Sequence, residues 1–135
     1  MKYTLENLDV YNLSEIFSDK IWNEVIQWKY FEKDTVGKQW VRATDSISAN
    51  IAEGYGRFTF REDKRFLHIS RGSLLESKSW LSKAGRRNLI SKEVFDALYL
   101  ELEKLHQKLN GYINFVEKAN SKTVEEVATN KPMNQ

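Results

Sequence analysis

The chain has 135 residues and a formal net charge of +2, and 41% of its residues are hydrophobic, which predicts one domain with a real core. It contains no cysteine, which excludes a disulfide framework and a thiolate metal site. No apolar run approaches the roughly 20 residues that span a bilayer, and residues 1–10 lack the apolar stretch of a signal peptide. We therefore expect a cytoplasmic protein without a membrane partner.

The first predicted helix runs from about Asp9 to Phe31, because apolar residues recur at spacings of three and four. The segment 32–35 is expected to break this helix, with Asp34 or Thr35 capping the next one. The apolar stripe consists of Val10, Leu13, Phe17, Ile21, Val25 and Trp28.

The second predicted helix follows directly and ends at Gly54 and Gly56. We expect these glycines to provide the left-handed conformation that commonly closes a helix. The apolar face of this helix consists of Val36, Trp40, Ala43, Ile47 and Ile51.

The third predicted helix begins near residues 61–63 and ends at Gly85 or Asn88. It carries two adjacent stripes, which predict a broad contact surface. One stripe is Phe66, Ile69, Ser73 and Trp80, and the other is Leu67, Ser70, Leu74, Leu81 and Ala84.

The fourth predicted helix has a strict heptad stripe and runs from about Lys92 to Lys118, with Ser91 as its N-cap. The stripe is Phe95, Leu98, Leu102, Leu105, Leu109, Tyr112 and Val116. Together the four helices predict an all-α, antiparallel up-and-down four-helix bundle over residues 1–120. Residues 121–135, which include the only proline, are expected to form a loosely ordered tail.

Positive charge is concentrated in residues 57–91, which hold nine Lys or Arg against three acidic residues. Such a segment either attracts a polyanion or forms an ordinary solvated helix face. The residues expected to contact phosphates are Arg57, Arg61, Lys64, Arg65, Arg71, Lys78, Arg86 and Arg87.

Three polar residues, Ser46, Asn50 and Glu53, share one face of the second helix. Ser73 and Glu76 lie one turn apart on the third helix, next to Gly72. Because unpaired buried polar groups are costly, these residues are expected to pair inside the bundle, to meet in a subunit interface, or to line a ligand groove. The sequence leaves these alternatives open.

The sequence lacks the residue patterns that are typical of catalytic sites and metal sites. A di-metal bundle needs two Glu-x-x-His pairs, and the chain has one, Glu103 with His106, of which Glu103 points away from the apolar stripe. His68 has no cysteine or recognisable triad partner, and no phosphate-binding loop is present. We therefore expect a non-enzymatic protein without a cofactor or a metal.

Two stretches are long and specific: Ser46–Arg57 reads S-I-x-x-N-I-A-E-G-x-G-R, and Phe66–Glu76 reads F-L-x-I-S-x-G-S-L-x-E. They resemble the bacterial four-helix bundle proteins known as 23S rRNA-intervening-sequence proteins, over residues 8–113. The resemblance extends to the accessory proteins of diversity-generating retroelements, which are basic, ring-shaped homopentamers that engage nucleic acid.

The resemblance implies a ring-shaped homopentamer with a polar seam between helices or subunits, formed by Asn50, Glu53, Arg57, Arg71, Ser73 and Glu76. This sequence departs from the family after Glu76, where Ser77 and Lys78 replace a leucine and a second acid. That replacement weakens any role for paired carboxylates on this turn.

Two functions follow as hypotheses. In the first, the oligomer binds RNA or DNA through phosphates. Tyr55 and Phe58 then either stack on bases or, as we prefer, form an apolar cover over the corner between the second and third helices. In the second, the oligomer is a scaffold for a protein partner. Its interface anchors would be Trp22, Trp28, Tyr30 and Trp40.

Overall fold

The computed structural model describes the backbone of residues 4–129 and the side chains of residues 4–122. All regular structure in residues 4–129 is helical, which confirms the predicted all-α class. After a 3₁₀ turn at Leu5–Asn7, the helices are α1 (Asp9–Val25), the short α2 (Tyr30–Glu32), α3 (Lys38–Tyr55), α4 (Phe60–Arg86) and α5 (Lys92–Thr129).

The four long helices pack as an antiparallel bundle. Each contacts its neighbour along the chain, and α1 also contacts α5, which closes the arrangement. Ser18 pairs with Asp45 and Glu15 pairs with Ser48, so α3 runs back along α1. The predicted up-and-down four-helix bundle therefore matches the observed packing.

The core draws on every long helix and includes most of the predicted stripes, but Leu13 of α1 and Ile69 of α4 are exposed, and of the two stripes predicted on α4 only the one that begins at Leu67 is buried. On α3, Trp40, Ala43, Ile47 and Ile51 are buried, as predicted. The heptad leucines of α5 are also buried, whereas Phe95 and Tyr112 at its flanks are partly exposed.

The predicted bounds of the first helix were wrong. Helix α1 ends at Val25, and the chain turns at residues 26–29 and becomes helical again at Tyr30. The expected break at 32–35 lies inside helical backbone, where Lys33–Gly37 form a π-helical turn. The early turn brings Trp28 against the buried Trp40, with ring centroids 6.0 Å apart, which is within the range of a favourable aromatic pair.

The predicted end of the second helix is confirmed, because α3 ends at Tyr55 with Gly56 as its C-cap. The left-handed conformation expected of Gly54 and Gly56 was wrong, since no glycine in the described residues has a positive φ. Gly54 is buried inside α3, where a Cβ would lie 2.7 Å from Asp63 Oδ1 and 3.0 Å from Phe66 Cβ. A glycine is required at this position because α4 packs closely against it, and not because the helix ends in a left-handed cap.

Small side chains on α4 extend this close approach along the bundle. Ser70, Ser77 and Ala84 follow Asp63 at seven-residue intervals, and all four are buried. The Ser70 hydroxyl donates a 2.7 Å hydrogen bond to the Ile47 carbonyl oxygen of α3. The two helices are therefore joined through backbone as well as through apolar contact.

The turn between α4 and α5 confirms two predicted caps. Asn88 has a φ of 58°, and the amides of Asn88 and Leu89 donate to the carbonyls of Gly85 and Ala84, which is a Schellman motif. The Ser91 hydroxyl accepts a hydrogen bond from the Val94 amide at 3.1 Å. Helix α5 then continues to Thr129, beyond its predicted end, because no glycine or proline interrupts residues 119–129. The remainder of the predicted tail, residues 130–135, lies outside the described residues.

Candidate nucleic-acid and subunit interface

Three of the eight basic candidates form a ladder between α4 and α5. Lys64, Arg71 and Lys78 recur at every seventh residue of α4. They face Glu117 at 3.7 Å, Asn110 at 3.0 Å and Glu103 at 2.9 Å on α5. The charges of these three residues are therefore directed at α5, although the side chains of Lys64 and Lys78 are still 41% and 34% exposed.

His68 belongs to the same ladder. Its Nδ1 lies 2.9 Å from an Arg71 guanidinium nitrogen, and its Nε2 lies 3.4 Å from Glu117 Oε1. The histidine therefore bridges two rungs of the α4–α5 contact. It has the geometry of a packing residue rather than of a catalytic base.

The strongest electrostatic coupling in the ladder is between Lys78 and Glu103. The hydrogen bond from Lys78 lowers the pKa of the Glu103 carboxyl, and the same bond raises the pKa of Lys78. The ammonium also lies 5.2 Å from the centroid of the Tyr99 ring. Lys78, which departs from the family pattern, thus helps to hold α4 against α5.

Four other basic candidates remain free of ion pairs among the described residues. Arg61 and Arg65 lie at the N-terminal end of α4, and Arg86 and Arg87 lie at its C-terminal end; all four are exposed. Lys83, which sequence reasoning did not select, lies near Arg86 and is held 4.5 Å from the Trp80 ring centroid. The structure therefore divides the predicted basic face into two separate arginine clusters.

Arg57 occupies the corner between α3 and α4. It pairs with Glu53 one turn earlier and lies 4.6 Å from the centroid of the Phe66 ring, which Arg65 also approaches. Phe58 is fully exposed in the same corner, so it does not act as the apolar plug that we preferred. Tyr55, by contrast, packs against the core.

Tyr112 lies beneath this corner. Burial raises the pKa of the Tyr112 hydroxyl well above its usual range, and the nearby Asp63 carboxylate and Tyr55 raise it further. Asp63 is itself buried under Gly54. The corner that joins the two motif segments is thus a close-packed structural site.

The polar residues Ser46 and Asn50 are satisfied by their own helix. The Ser46 hydroxyl donates to the Arg42 carbonyl at 2.9 Å, and the Asn50 amide donates to the Ser46 carbonyl at 2.8 Å. Glu53 is exposed and pairs with Arg57. Within the described part of the chain, none of these three side chains hydrogen-bonds to α4, so pairing between helices of the bundle does not account for them.

Glu76 does join the two helices. Its Oε2 accepts from Arg42 Nη2 of α3 at 3.1 Å and from the Trp80 indole at 3.2 Å. Sequence reasoning missed Arg42, although its position four residues before Ser46 placed it on the same face. Glu76 therefore reaches Arg42 and not Asn50.

Together with the Ser70–Ile47 bond, these contacts set the antiparallel register of α3 and α4, which puts Ser46 near the level of Ser73 and Asn50 near the level of Ile69. We call the surface between these residues the α3–α4 seam. It is lined by Arg42, Ser46, Asn50 and Glu53 of α3 and by Ile69, Ser73 and Glu76 of α4. Ile69 is 44% exposed, so the seam combines an uncovered apolar residue with polar groups.

Gly72 lies beside the seam on α4, and a Cβ there would meet nothing within 4 Å. A glycine in a helix interior costs about 1 kcal/mol relative to alanine. Nothing within the described protomer requires a glycine at this position.

The described residues contain no group of three or more His, Asp or Glu that would hold a metal ion. Their helices also include none that is long and apolar enough to cross a membrane.

The fold and the site define a class of protein: an all-α antiparallel bundle whose α4 carries exposed arginines and a polar seam. The 23S rRNA-intervening sequence protein family model matches residues 6–111, so this chain belongs to that family. Both motif segments fall within the matched region, and the resemblance seen in the sequence is confirmed.

A crystal structure from Bacteroides thetaiotaomicron, described as a protein of unknown function from the S23 ribosomal protein family, has a similar fold. The TM-score is 0.70 at 23% identity, and the alignment covers 77% of this chain and 97% of that chain. At this identity the likeness supports the fold. Among curated proteins, none matches this chain.

Proposed function

We propose that this protein is a non-enzymatic, cytoplasmic, self-associating bundle that binds nucleic acid through phosphate contacts. The observation that carries the proposal is the set of four exposed arginines at the two ends of α4, Arg61, Arg65, Arg86 and Arg87, which have no ion-pair partner among the described residues. Lys64, Arg71 and Lys78 are instead directed at α5. An arginine without an ion pair can bind a phosphate and release condensed counterions without first breaking an internal contact.

Self-association supports the same function. The α3–α4 seam leaves Ile69 exposed, while the Ser46 hydroxyl and the Asn50 amide donate to carbonyls of their own helix and Glu76 pairs with Arg42, so a second copy could cover the apolar residue with these groups already paired. The family resemblance implies a ring-shaped homopentamer. Five copies would repeat the arginines around the ring and raise the local positive potential.

Fluorescence anisotropy with a labelled duplex, measured over a series of salt concentrations, tests phosphate binding. The wild type is compared with a variant that carries Arg61→Ala, Arg65→Ala, Arg86→Ala and Arg87→Ala. The wild type is expected to bind with an affinity that falls steeply with salt, and the variant is expected to bind at least about tenfold more weakly. Absence of binding by the wild type at low salt would refute the proposal.

A protein scaffold is the second candidate, and one observation favours it. Trp22 is 53% exposed and Tyr30 is 80% exposed, and both line a pocket of about 350 Å³ with Ile26 and Val41. Trp40 and Trp28 do not join them, because they pack together in the bundle. A scaffold function would account for the result that the protein forms an oligomer but binds no nucleic acid.

A further inference from the structure

The solvent-facing stripe of α4, which we call the crest, carries charge only at its two ends. Arg61 and Arg65 lie at one end, and Arg86 and the C-cap residue Arg87 lie at the other. Between them the exposed positions of α4 are Ile69, Gly72, Leu75 and Ser79, none of which is charged.

The acidic residues of α4 all lie off the crest. Asp63 is buried, and Glu76 is turned toward Arg42 of α3. The Glu62 amide is held by the Thr59 N-cap at 3.2 Å, and its side chain is half-buried. The carboxylate nearest the crest is that of Glu76, whose side chain is 41% exposed, and its ion pair with Arg42 offsets its charge toward a polyanion.

The separation of the two ends is fixed by the helix. At about 1.5 Å per residue, Arg65 and Arg86 are about 32 Å apart, and Arg61 and Arg86 are about 38 Å apart. One turn of B-form DNA is about 34–36 Å, or about 10.5 base pairs. The same backbone strand of a duplex laid along α4 thus returns to the protein at each arginine cluster.

We propose that the partner is double-helical nucleic acid, bound along the α4 crest with its phosphates contacted one helical turn apart. This inference rests on the proposed function and specifies the form of nucleic acid. Between the two clusters the crest would face a groove of the duplex, and the small residues Gly72 and Ser79 leave room for the backbone on either side of that groove. A rigid duplex meets both clusters without an ordering cost, whereas a flexible strand must be straightened to do so.

The test measures anisotropy with DNA hairpins of about 6 and about 14 base pairs, shorter and longer than one turn. An unstructured single strand with the phosphate count of the longer hairpin is the third probe. The longer hairpin is expected to bind more than about tenfold tighter than the shorter one at low salt. The slopes of log K against log salt are expected to be about −3.6 and about −1.8, for four and two contacts.

Two variants locate the contacts. Arg61→Ala with Arg65→Ala, and Arg86→Ala with Arg87→Ala, are each expected to remove the preference for the longer hairpin. Lys104→Ala with Lys108→Ala is the matched control, because it removes the same charge from exposed positions of α5 and should keep the preference. A length preference that came from the same cluster on two neighbouring protomers would survive the loss of the other cluster.

Equal slopes for the two hairpins, or a single strand that binds as tightly as the longer hairpin, would overturn the duplex inference and leave phosphate binding in place. A length preference that survives either arginine variant would also overturn it. A wild type that binds none of the probes would refute the proposed function as well.

Discussion

Gly54 of α3 and Asp63 of α4 approach so closely that a Cβ on Gly54 would lie 2.7 Å from Asp63 Oδ1. This contact brings together the two motif segments and sets the spacing of α3 and α4 at their connection. Ser70, one heptad further along, continues the close approach through its bond to Ile47.

Gly54→Ala is expected to lower the free energy of unfolding by about 1–3 kcal/mol, because the added methyl group meets backbone and a buried carboxylate. Gly72→Ala is the matched control, since open space surrounds that position, and it should raise stability by about 0.5–1 kcal/mol. Urea unfolding of both variants measures the difference. The packing argument fails if Gly54→Ala is no less stable than the wild type.

Asn88→Ala is expected to destabilise the fold by about 1 kcal/mol, because alanine tolerates the left-handed conformation poorly. Asn88→Gly should be at least as stable as the wild type at this position, whose φ is 58°. Thermal unfolding of the two variants gives the comparison. Equal stability of the alanine and glycine variants would contradict the capping role.

The Lys78–Glu103 pair should contribute stability over a defined pH range. Because the folded-state pKa of Glu103 is lowered from 4.5, its contribution is present above that value and is lost as the pH falls. Because the folded-state pKa of Lys78 is raised from 10.5, its contribution is present below that value and is lost as the pH rises. Glu103→Gln should therefore be less stable than the wild type at neutral pH, and the difference should shrink below pH 4.

Asp96→Asn provides the control for this measurement. Its partner Lys92 is 84% exposed, and such pairs are strongly screened, so the variant should change stability less than Glu103→Gln at neutral pH. Urea unfolding at several pH values measures both. A Glu103→Gln effect that persists unchanged in acid would show that the ion pair is not its cause.

Ile69→Glu tests the α3–α4 seam as the contact between copies. Burying a carboxylate in a subunit interface removes its hydration, which costs free energy. The concentration at which the Ile69→Glu oligomer dissociates should therefore rise at least about tenfold. Leu75→Glu is the control, because Leu75 is similarly exposed, at 49%, but faces away from the seam. Sedimentation that shows the same oligomer for both variants and the wild type would place the interface elsewhere.

Hydrophobic periodicity predicted the four helices and most of the core, because apolar stripes such as Trp40, Ala43, Ile47 and Ile51 depend only on helix geometry. The early end of α1 was missed, since the Trp28–Trp40 contact is tertiary and leaves no local sequence signal. The purpose of Gly54 was missed for the same reason.

The sequence predicted which residues belong to the candidate site but not how they are arranged in space. Sequence alone assigned Arg61 and Lys78 to one basic face, and the partners on α5 that separate them become evident only from the α4–α5 register. Similarly, the pairing of Glu76 with Arg42 depends on the α3–α4 register, which the spacing along one helix does not determine.

The most direct test of the central claim is the light-scattering mass of the purified protein at low salt, with and without a duplex longer than one helical turn. We predict a mass that is a multiple of the 15.9 kDa chain, fivefold by the family resemblance, and a further increase when the duplex is added. A mass of one chain that does not change with the duplex would contradict both self-association and nucleic-acid binding.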